Sequence, residues 1–373
     1  MKKLNLKRRL SVDWLLLTCV MILVLVGVAF VYSASSYNAE VNYGDKFFYM
    51  KKQIVGVCLG FASMIVFSFL DIEKLKKLKY VIFAVSVGLL LLVFIPGVGV
   101  QNYGANRWIN LGFFTLQASE VAKFGFIFFS ACLMSEQKGD PKSFKFMLPT
   151  LISGGLVCLL IILEPNMSIT MCVGITMLIM LFVGGASLKN FLLILIPALV
   201  MVPLLILLEP YRLKRLSAFL DPWSSPLEEG FQLIQSYYSL GSGGLFGVGF
   251  GNSRQKYLFL PFSESDFIFS IIGEELGFVM SCVIILLYVV IIFRGYRIAF
   301  KADTRFKCYL TAGVTSIIAI QFLINLAVVT GSIPPTGLPL PFISAGSTSL
   351  LVFMSAIGVV LNVDRQSRKN MIQ

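Results

Sequence analysis

The residues best placed to do chemistry are carboxylates at the ends of apolar runs. Asp266 stands where a glycine-rich polar stretch, LFGVGFGNSRQKYLFLPFSESD (245–266), gives way to the apolar FIFSII that follows. There is no histidine, so a proton transfer here falls to a carboxylate, lysine, tyrosine or cysteine, or to no side chain at all. Glu274 and Glu275 follow eight and nine residues later, about 12–13 Å deeper along a helix. Adjacent carboxylates at that depth need cationic or hydrogen-bonding partners to stay ionised. Glu120 and Lys123, in QASEVAK (117–123), are three apart and share a helix face; they read as an ion pair locking two helices or as the charged lining of a polar cavity. Glu164 opens EPNMSI (164–169), where Pro165 breaks a helix; it is a cavity carboxylate or one at the water interface. For Asp266 a structural reading competes with the chemical one, because Ser265 and Asp266 are both preferred helix caps.

The elements that must position these groups are membrane spans. The 373 residues are 57% hydrophobic and 13% charged, with mean hydropathy +0.86, well beyond the apolar share of a soluble domain, about 45–50%. Apolar runs of bilayer-crossing length recur at roughly 14–33, 48–70, 80–96, 119–135, 147–163, 167–185, 190–208, 266–292, 308–329 and 346–362. The expected fold class is therefore all-α integral membrane, a single polytopic domain over 1–373 with ten transmembrane helices. With the N-terminus inside, 21 of the 31 Lys and Arg residues fall on inner segments, which places both termini in the cytoplasm. The first run is longer than a signal-peptide core and reads as an uncleaved span. The formal charge of +12 is thus mainly a topology signal that also suits anionic membrane lipid; being dispersed over loops, it reads against nucleic-acid binding. The seven cysteines lie in or beside apolar runs and read as small core residues, with neither disulfide nor metal implied.

Most connections are short. The exception is 209–265, an outer loop of a length that is usually functional, carrying Arg212, Lys214, Arg215, Arg254 and Lys256. Two further outer segments, 97–118 with GANRW (104–108) and 330–345 with PPTGLP (334–339), can converge on the same face. The run GSGGLFGVGFG (241–251) lacks the strand-to-helix setting of a nucleotide loop; its glycines suit tight turns and close helix packing.

Taken in order, GANRW, QASEVAK, EPNMSI, GSGGLFGVGFGNSRQKY, LPFSESDFIFSIIGEELG and TGLPLPFISAGS (336–347) resemble the shape, elongation, division and sporulation family of peptidoglycan glycosyltransferases, over essentially the whole chain. SRQKY (253–257) with the DFIF segment is more similar to the FtsW/SpoVE branch than to RodA. The resemblance places the family's outer-face aspartate on Asp266, the arginine of its GAxRW motif on Arg107, and the acid and base of its QPSExAK motif on Glu120 and Lys123. Three departures stand out: Asn166 replaces an acid in EPNMSI, Ala118 replaces a proline in QASE, and AGSTS replaces the usual YGGSS from Ala345.

The resemblance implies polymerisation of lipid II, an undecaprenyl-linked disaccharide-peptide, into β-1,4 glycan strands at the outer face of the bacterial cytoplasmic membrane, for division or sporulation. Asp266 would then be the general base on a sugar hydroxyl. Arg107, Lys123, Glu120, Arg212, Lys214, Arg215, Arg254 and Lys256 would bind substrate and its diphosphate, and Glu164, Asn166, Glu274 and Glu275 would support the cavity. A divalent cation, Mg²⁺ or Mn²⁺, could share the charge, with Asp266 or the glutamates as its ligands. The implied protein partner is a class B penicillin-binding protein transpeptidase. Two other readings stand beside this one: a lipid II flippase, and a non-catalytic scaffold for that transpeptidase.

Overall fold

The computed structural model describes residues 12–102, 105–110, 115–207 and 210–370. The apolar runs form helices α1 (Trp14–Tyr43), α2 (Phe48–Phe69), α3 (Lys79–Leu92), α4 (Ala118–Glu136), α5 (Phe144–Leu163), α6 (Met167–Val183) and α7 (Leu188–Leu207). The long segment that follows has helical structure of its own, α8 (Pro210–Leu220) and α9 (Phe231–Gly243), which its composition did not announce. The chain ends in α10 (Ile268–Phe300), α11 (Arg305–Val329) and α12 (Ser347–Asn370). Seven of these, α1, α2, α4, α5, α10, α11 and α12, are long and apolar enough to cross a membrane by length and composition. The chain is a multi-pass membrane protein.

One departure from an all-helical expectation is a three-stranded antiparallel meander, β1 (Gly99–Asn102), β2 (Ala105–Asn110) and β3 (Thr115–Gln117). Val100 pairs with Trp108 and Gln101 with Asn106, so β2 carries one extra residue between them, and that residue is Arg107. A bulge of this kind re-aims the extra side chain.

Helix ends and helix contacts follow from local chemistry. Asp13 caps α1 by accepting from the Leu16 amide at 3.1 Å, and Gly44, at φ 68°, closes its far end. Helix α11 lies at the centre, against α4, α6, α10 and α12. Helices α2 and α12 pack through small residues: a methyl group on Gly56 would stand 3.1 Å from Ser347, and one on Gly60 would stand 2.7 Å from the Met354 sulfur.

The helix that leads down from Asp266 is broken. At Gly277 the backbone of α10 takes φ 74° and ψ −176°, and residues 244–249 dock into the gap. The amides of Val248 and Gly249 donate to the carbonyls of Glu274 and Glu275, each at 3.0 Å, and those of Phe278 and Val279 donate to Gly244 and Leu245 at 2.9 and 3.2 Å. Main-chain groups freed by the break thereby find partners within the protein, as an apolar surrounding requires. A side chain on Gly247 would collide with the Glu275 carbonyl, and one on Gly277 with the Gly247 amide. The glycine run serves this close approach.

Candidate functional site

Asp266 lies outside the spanning helix, in the turn two residues before α10. The capping role its residue type suggested is not realised. Phe267 occupies the N-cap position of α10 and no side chain caps the helix end, which leaves the Asp266 carboxylate uncommitted to that task. What holds the turn is a set of bonds to main-chain atoms. Asn325, on α11, donates from Nδ2 to the Asp266 carbonyl at 2.8 Å and to the Leu338 carbonyl at 2.7 Å. The Ser344 hydroxyl donates to the Ser265 carbonyl at 2.5 Å, and the Ala345 amide to the Glu264 carbonyl at 2.9 Å. Gly337, at φ 72°, faces the carboxylate, and a methyl group there would sit 3.4 Å from Oδ2.

The outer segments meet at this turn. Arg107, at the β2 bulge, donates from Nε to the Glu164 carbonyl at 3.3 Å and from Nη2 to the Pro165 carbonyl at 2.6 Å. Arg215, on α8, donates to the Pro335 carbonyl at 3.2 Å. Ser168 donates to the Thr336 carbonyl, tying the start of α6 to the same loop. Burial pushes the Asp266 carboxyl up to about 6; the Ser265 hydroxyl and Arg215 pull it down, Glu264 pushes it up, and Arg107 pulls it down. Glu264 is itself buried and shifted upward, mainly by desolvation. Glu164 is 1% exposed with neither carboxylate oxygen bonded, and burial carries it to about 8 against the pull of Arg107. Asn166 caps α6, accepting from the Ile169 amide at 3.3 Å, a task that its amide oxygen performs as a carboxylate would.

Other expected site residues fall elsewhere. Glu120 and Lys123 are fully enclosed: Lys123 Nζ sits 2.8 Å from Glu120 Oε1 and 2.8 Å from Gln321 Oε1, while Ser349 donates to the other Glu120 oxygen at 3.1 Å. They lock α4 against α11 and α12, and neither is placed to touch a diphosphate. Lys256 is equally committed, 3.3 Å from Glu275 Oε1 and bonded to the Gly251 carbonyl. Glu274 accepts from Ser239, from Ser253 and from the Arg254 amide at 3.2, 2.5 and 2.9 Å, and Glu275 accepts from Ser33 and the Ser253 amide at 2.7 and 3.2 Å. The two glutamates clamp the 251–256 turn onto α10 instead of lining a cavity. Lys214 and Arg254 are exposed. Arg212 belongs to α8, and its side chain lies outside the described residues.

Of the sequence-derived candidates, Asp266, Arg107, Arg215 and Glu164 come together. Glu264, two residues before Asp266, was overlooked, although its spacing in ESD was a signal. Asn325 gave none, since an isolated amide in an apolar helix does not reveal which loop it holds. Among the described residues no three Cys, Asp or Glu side chains are grouped to hold a metal ion.

Comparison with known proteins extends over the same stretch of chain. The family described as "Cell cycle protein", spanning FtsW, RodA and SpoVE, matches residues 13–369. The chain is 40% identical to stage V sporulation protein E of Bacillus subtilis (strain 168), over 97% of this chain and 99% of that protein. It is 36% identical to the probable peptidoglycan glycosyltransferase FtsW of Geobacter sp. (strain M18), over 95% and 97%. Among solved structures, a chain from work titled "Structural coordination of polymerization and crosslinking by a peptidoglycan synthase complex" superposes with TM-score 0.79 at 29% identity, over 96% of this chain and 99% of that one. The rod shape determining protein RodA of Thermus thermophilus superposes with TM-score 0.71 at 26% identity, over 96% and 98%.

Proposed function

This chain belongs to the FtsW/RodA/SpoVE family of cell cycle proteins, and from that membership we propose that it is a peptidoglycan glycosyltransferase of division or sporulation that uses Asp266 as its general base. The observation that carries the reading is the setting of Asp266: a partly covered carboxylate, released from capping, its backbone fixed by Asn325 and Ser344 and its charge felt by Arg215 and Arg107. A carboxyl near 6 is largely ionised at neutral pH and still basic enough to accept a proton as attack proceeds.

The substrate is lipid II. Asp266 takes the proton of the acceptor's GlcNAc 4-hydroxyl as that oxygen attacks the anomeric carbon of the donor. The bond from that carbon to the diphosphate oxygen breaks, its electron pair leaves with the polyprenyl diphosphate, and the α link becomes a β-1,4 bond. General-base assistance supplies about 10²–10⁴-fold; the remainder comes from neutralising the leaving diphosphate, for which Arg107 and Arg215 are the nearest cations and Lys214 and Arg254 the exposed ones. The step balances without a metal. A bound Mg²⁺ or Mn²⁺ would add to the neutralisation, with Glu264 and Asp266 as the carboxylates facing it.

For this chemistry the site faces outward and α1 to α7 with α10 to α12 make ten spans, α3, α6 and α7 joining the other seven. A structural relative taken from a peptidoglycan synthase complex that couples polymerization to crosslinking supports a class B penicillin-binding protein as partner. A lipid II flippase is the second reading, favoured by the broken helix α10, since transporters use interrupted helices at their binding sites. Purified protein with labelled lipid II separates the two. Glycan polymer from wild type and formation slowed by about 10²–10⁴-fold in Asp266→Asn is expected; an equal rate from both removes the base, and translocation without polymer selects the flippase.

A further inference from the structure

At the opposite end of the molecule from Asp266, the N-terminal end of α1 and the C-terminal ends of α10 and α12 enclose a cavity of about 350 Å³. Its walls carry Arg294, Arg297, Lys301 and Arg368 against only Asp13 and Asp364, an excess of two positive charges. The pairing inside is uneven. Arg294 donates to Asp13 Oδ2 from Nε at 2.9 Å and also from Nη2, and Arg368 donates to Asp364 Oδ1 at 2.8 Å. Arg297 and Lys301, both exposed, pair with no carboxylate among the described residues. Asp364 is 7% exposed, yet its Oδ2 has no hydrogen-bond partner there.

The cavity therefore offers two cations in search of an anion and one buried acceptor in search of a donor. A single ligand satisfies both if it carries a phosphate and a hydroxyl. The surroundings point to a lipid. Trp14, Phe293 and Phe300, at the same helix ends, are 67%, 64% and 68% exposed, which is the aromatic, apolar surface that sits beside headgroups. Basic pockets between helix ends on the cytoplasmic side suit anionic headgroups.

We propose that this cavity binds the headgroup of an anionic phospholipid bearing both a phosphodiester and a hydroxyl, such as phosphoglycerol, with Arg297 and Lys301 on the phosphate and Asp364 accepting from the hydroxyl. The excess positive charge selects against zwitterionic headgroups.

The test is native mass spectrometry of the full chain in phosphatidylcholine micelles titrated with phosphatidylglycerol, phosphatidylethanolamine, phosphatidic acid, glycerol phosphate or inorganic phosphate. Phosphatidylglycerol is expected to bind in preference to all three other lipids. Arg297→Ala with Lys301→Ala should weaken it about thirtyfold, at about fivefold for each surface cation. These two side chains are exposed and without acidic partners among the described residues, so the fold is expected to persist, and unchanged thermal melting of the variant verifies it. Asp364→Asn should erase the preference over phosphatidic acid, which lacks the hydroxyl, while leaving phosphate binding in place. Equal retention of phosphatidylcholine and phosphatidylglycerol, or full affinity in the double variant, overturns the proposal. Displacement of phosphatidylglycerol by inorganic phosphate alone also overturns it, by assigning the cavity to a soluble anion.

Discussion

Asp266 is a general base only if its titration governs the rate, and the surroundings of its carboxyl set how. With the group at about 6, half the molecules are ionised at pH 6 and about one in eleven at pH 5. The initial rate of lipid II polymerisation by the wild type should thus rise about fivefold from pH 5 to pH 6, about twofold more by pH 7, and level off above that. Asp266→Asn keeps the shape and removes the proton acceptor, so its rate should be lower by about 10²–10⁴-fold and lose this inflection. The neighbours give the sign of two further shifts. Arg215 lowers the carboxyl and Glu264 raises it, so Arg215→Gln should move the inflection to higher pH and Glu264→Gln to lower pH. Initial rates from pH 5 to 8, with thermal melting at each pH to exclude unfolding, provide the measurement. A wild-type profile flat across that range, or displacement of the inflection by Arg215→Gln toward lower pH, refutes the assignment.

Removal of the cation from the enclosed Glu120–Lys123 pair by Lys123→Met should cost about 3–5 kcal/mol, seen as a lower thermal midpoint; the double change Glu120→Gln with Lys123→Met should recover most of it. Gly277→Ala should weaken the docking of 244–249, because φ 74° disfavours a side chain and the added methyl meets the Gly247 amide; faster amide exchange at Val248 and Gly249 would report it. For Glu164, folding raises the carboxyl from 4.5 to about 8 and so favours its protonated form. Its contribution is complete below about 4.5 and lost as pH rises through about 8. The thermal midpoint of the wild type should fall with rising pH across that window, and Glu164→Gln should flatten the fall.

That the chain crosses a membrane several times was legible because apolar length is a property of the chain alone. Asp266 and Arg107 were legible because each stands in an ordered motif. The limits lie where a residue's task depends on what folds against it. Spacing alone set Glu120 beside Lys123, but Gln321, which completes the enclosure of Lys123, comes from a distant helix, and Glu275 and the Gly251 carbonyl meet Lys256 through a turn whose path is set elsewhere. Asp266 has the residue type of a helix cap, yet the helix starts one residue too late to use it. The bulge at Arg107 depends on strand register between Val100 and Trp108, which neither strand shows alone. The helices α8 and α9 lie in polar, glycine-bearing sequence and stay in place through contacts such as Arg215 to Pro335 and Ser236 to the Val329 carbonyl.

The gap in α10 also decouples Asp266 from bilayer thickness. An unbroken helix from residue 268 to 300 would tilt as one rod when the surrounding lipid thins or thickens, and the carboxylate at its head would rise and fall with it. Here the upper segment ends at Gly277 with its Glu274 and Glu275 carbonyls held by the amides of Val248 and Gly249, and the lower segment starts with the Phe278 and Val279 amides on the carbonyls of Gly244 and Leu245, so the height of the break is referenced to the 244–249 loop. Below that anchored start, the remainder of the lower segment, residues 280–300, can absorb the mismatch. The Asp266 carboxylate keeps its level relative to Arg107 and Arg215 as the membrane around it changes.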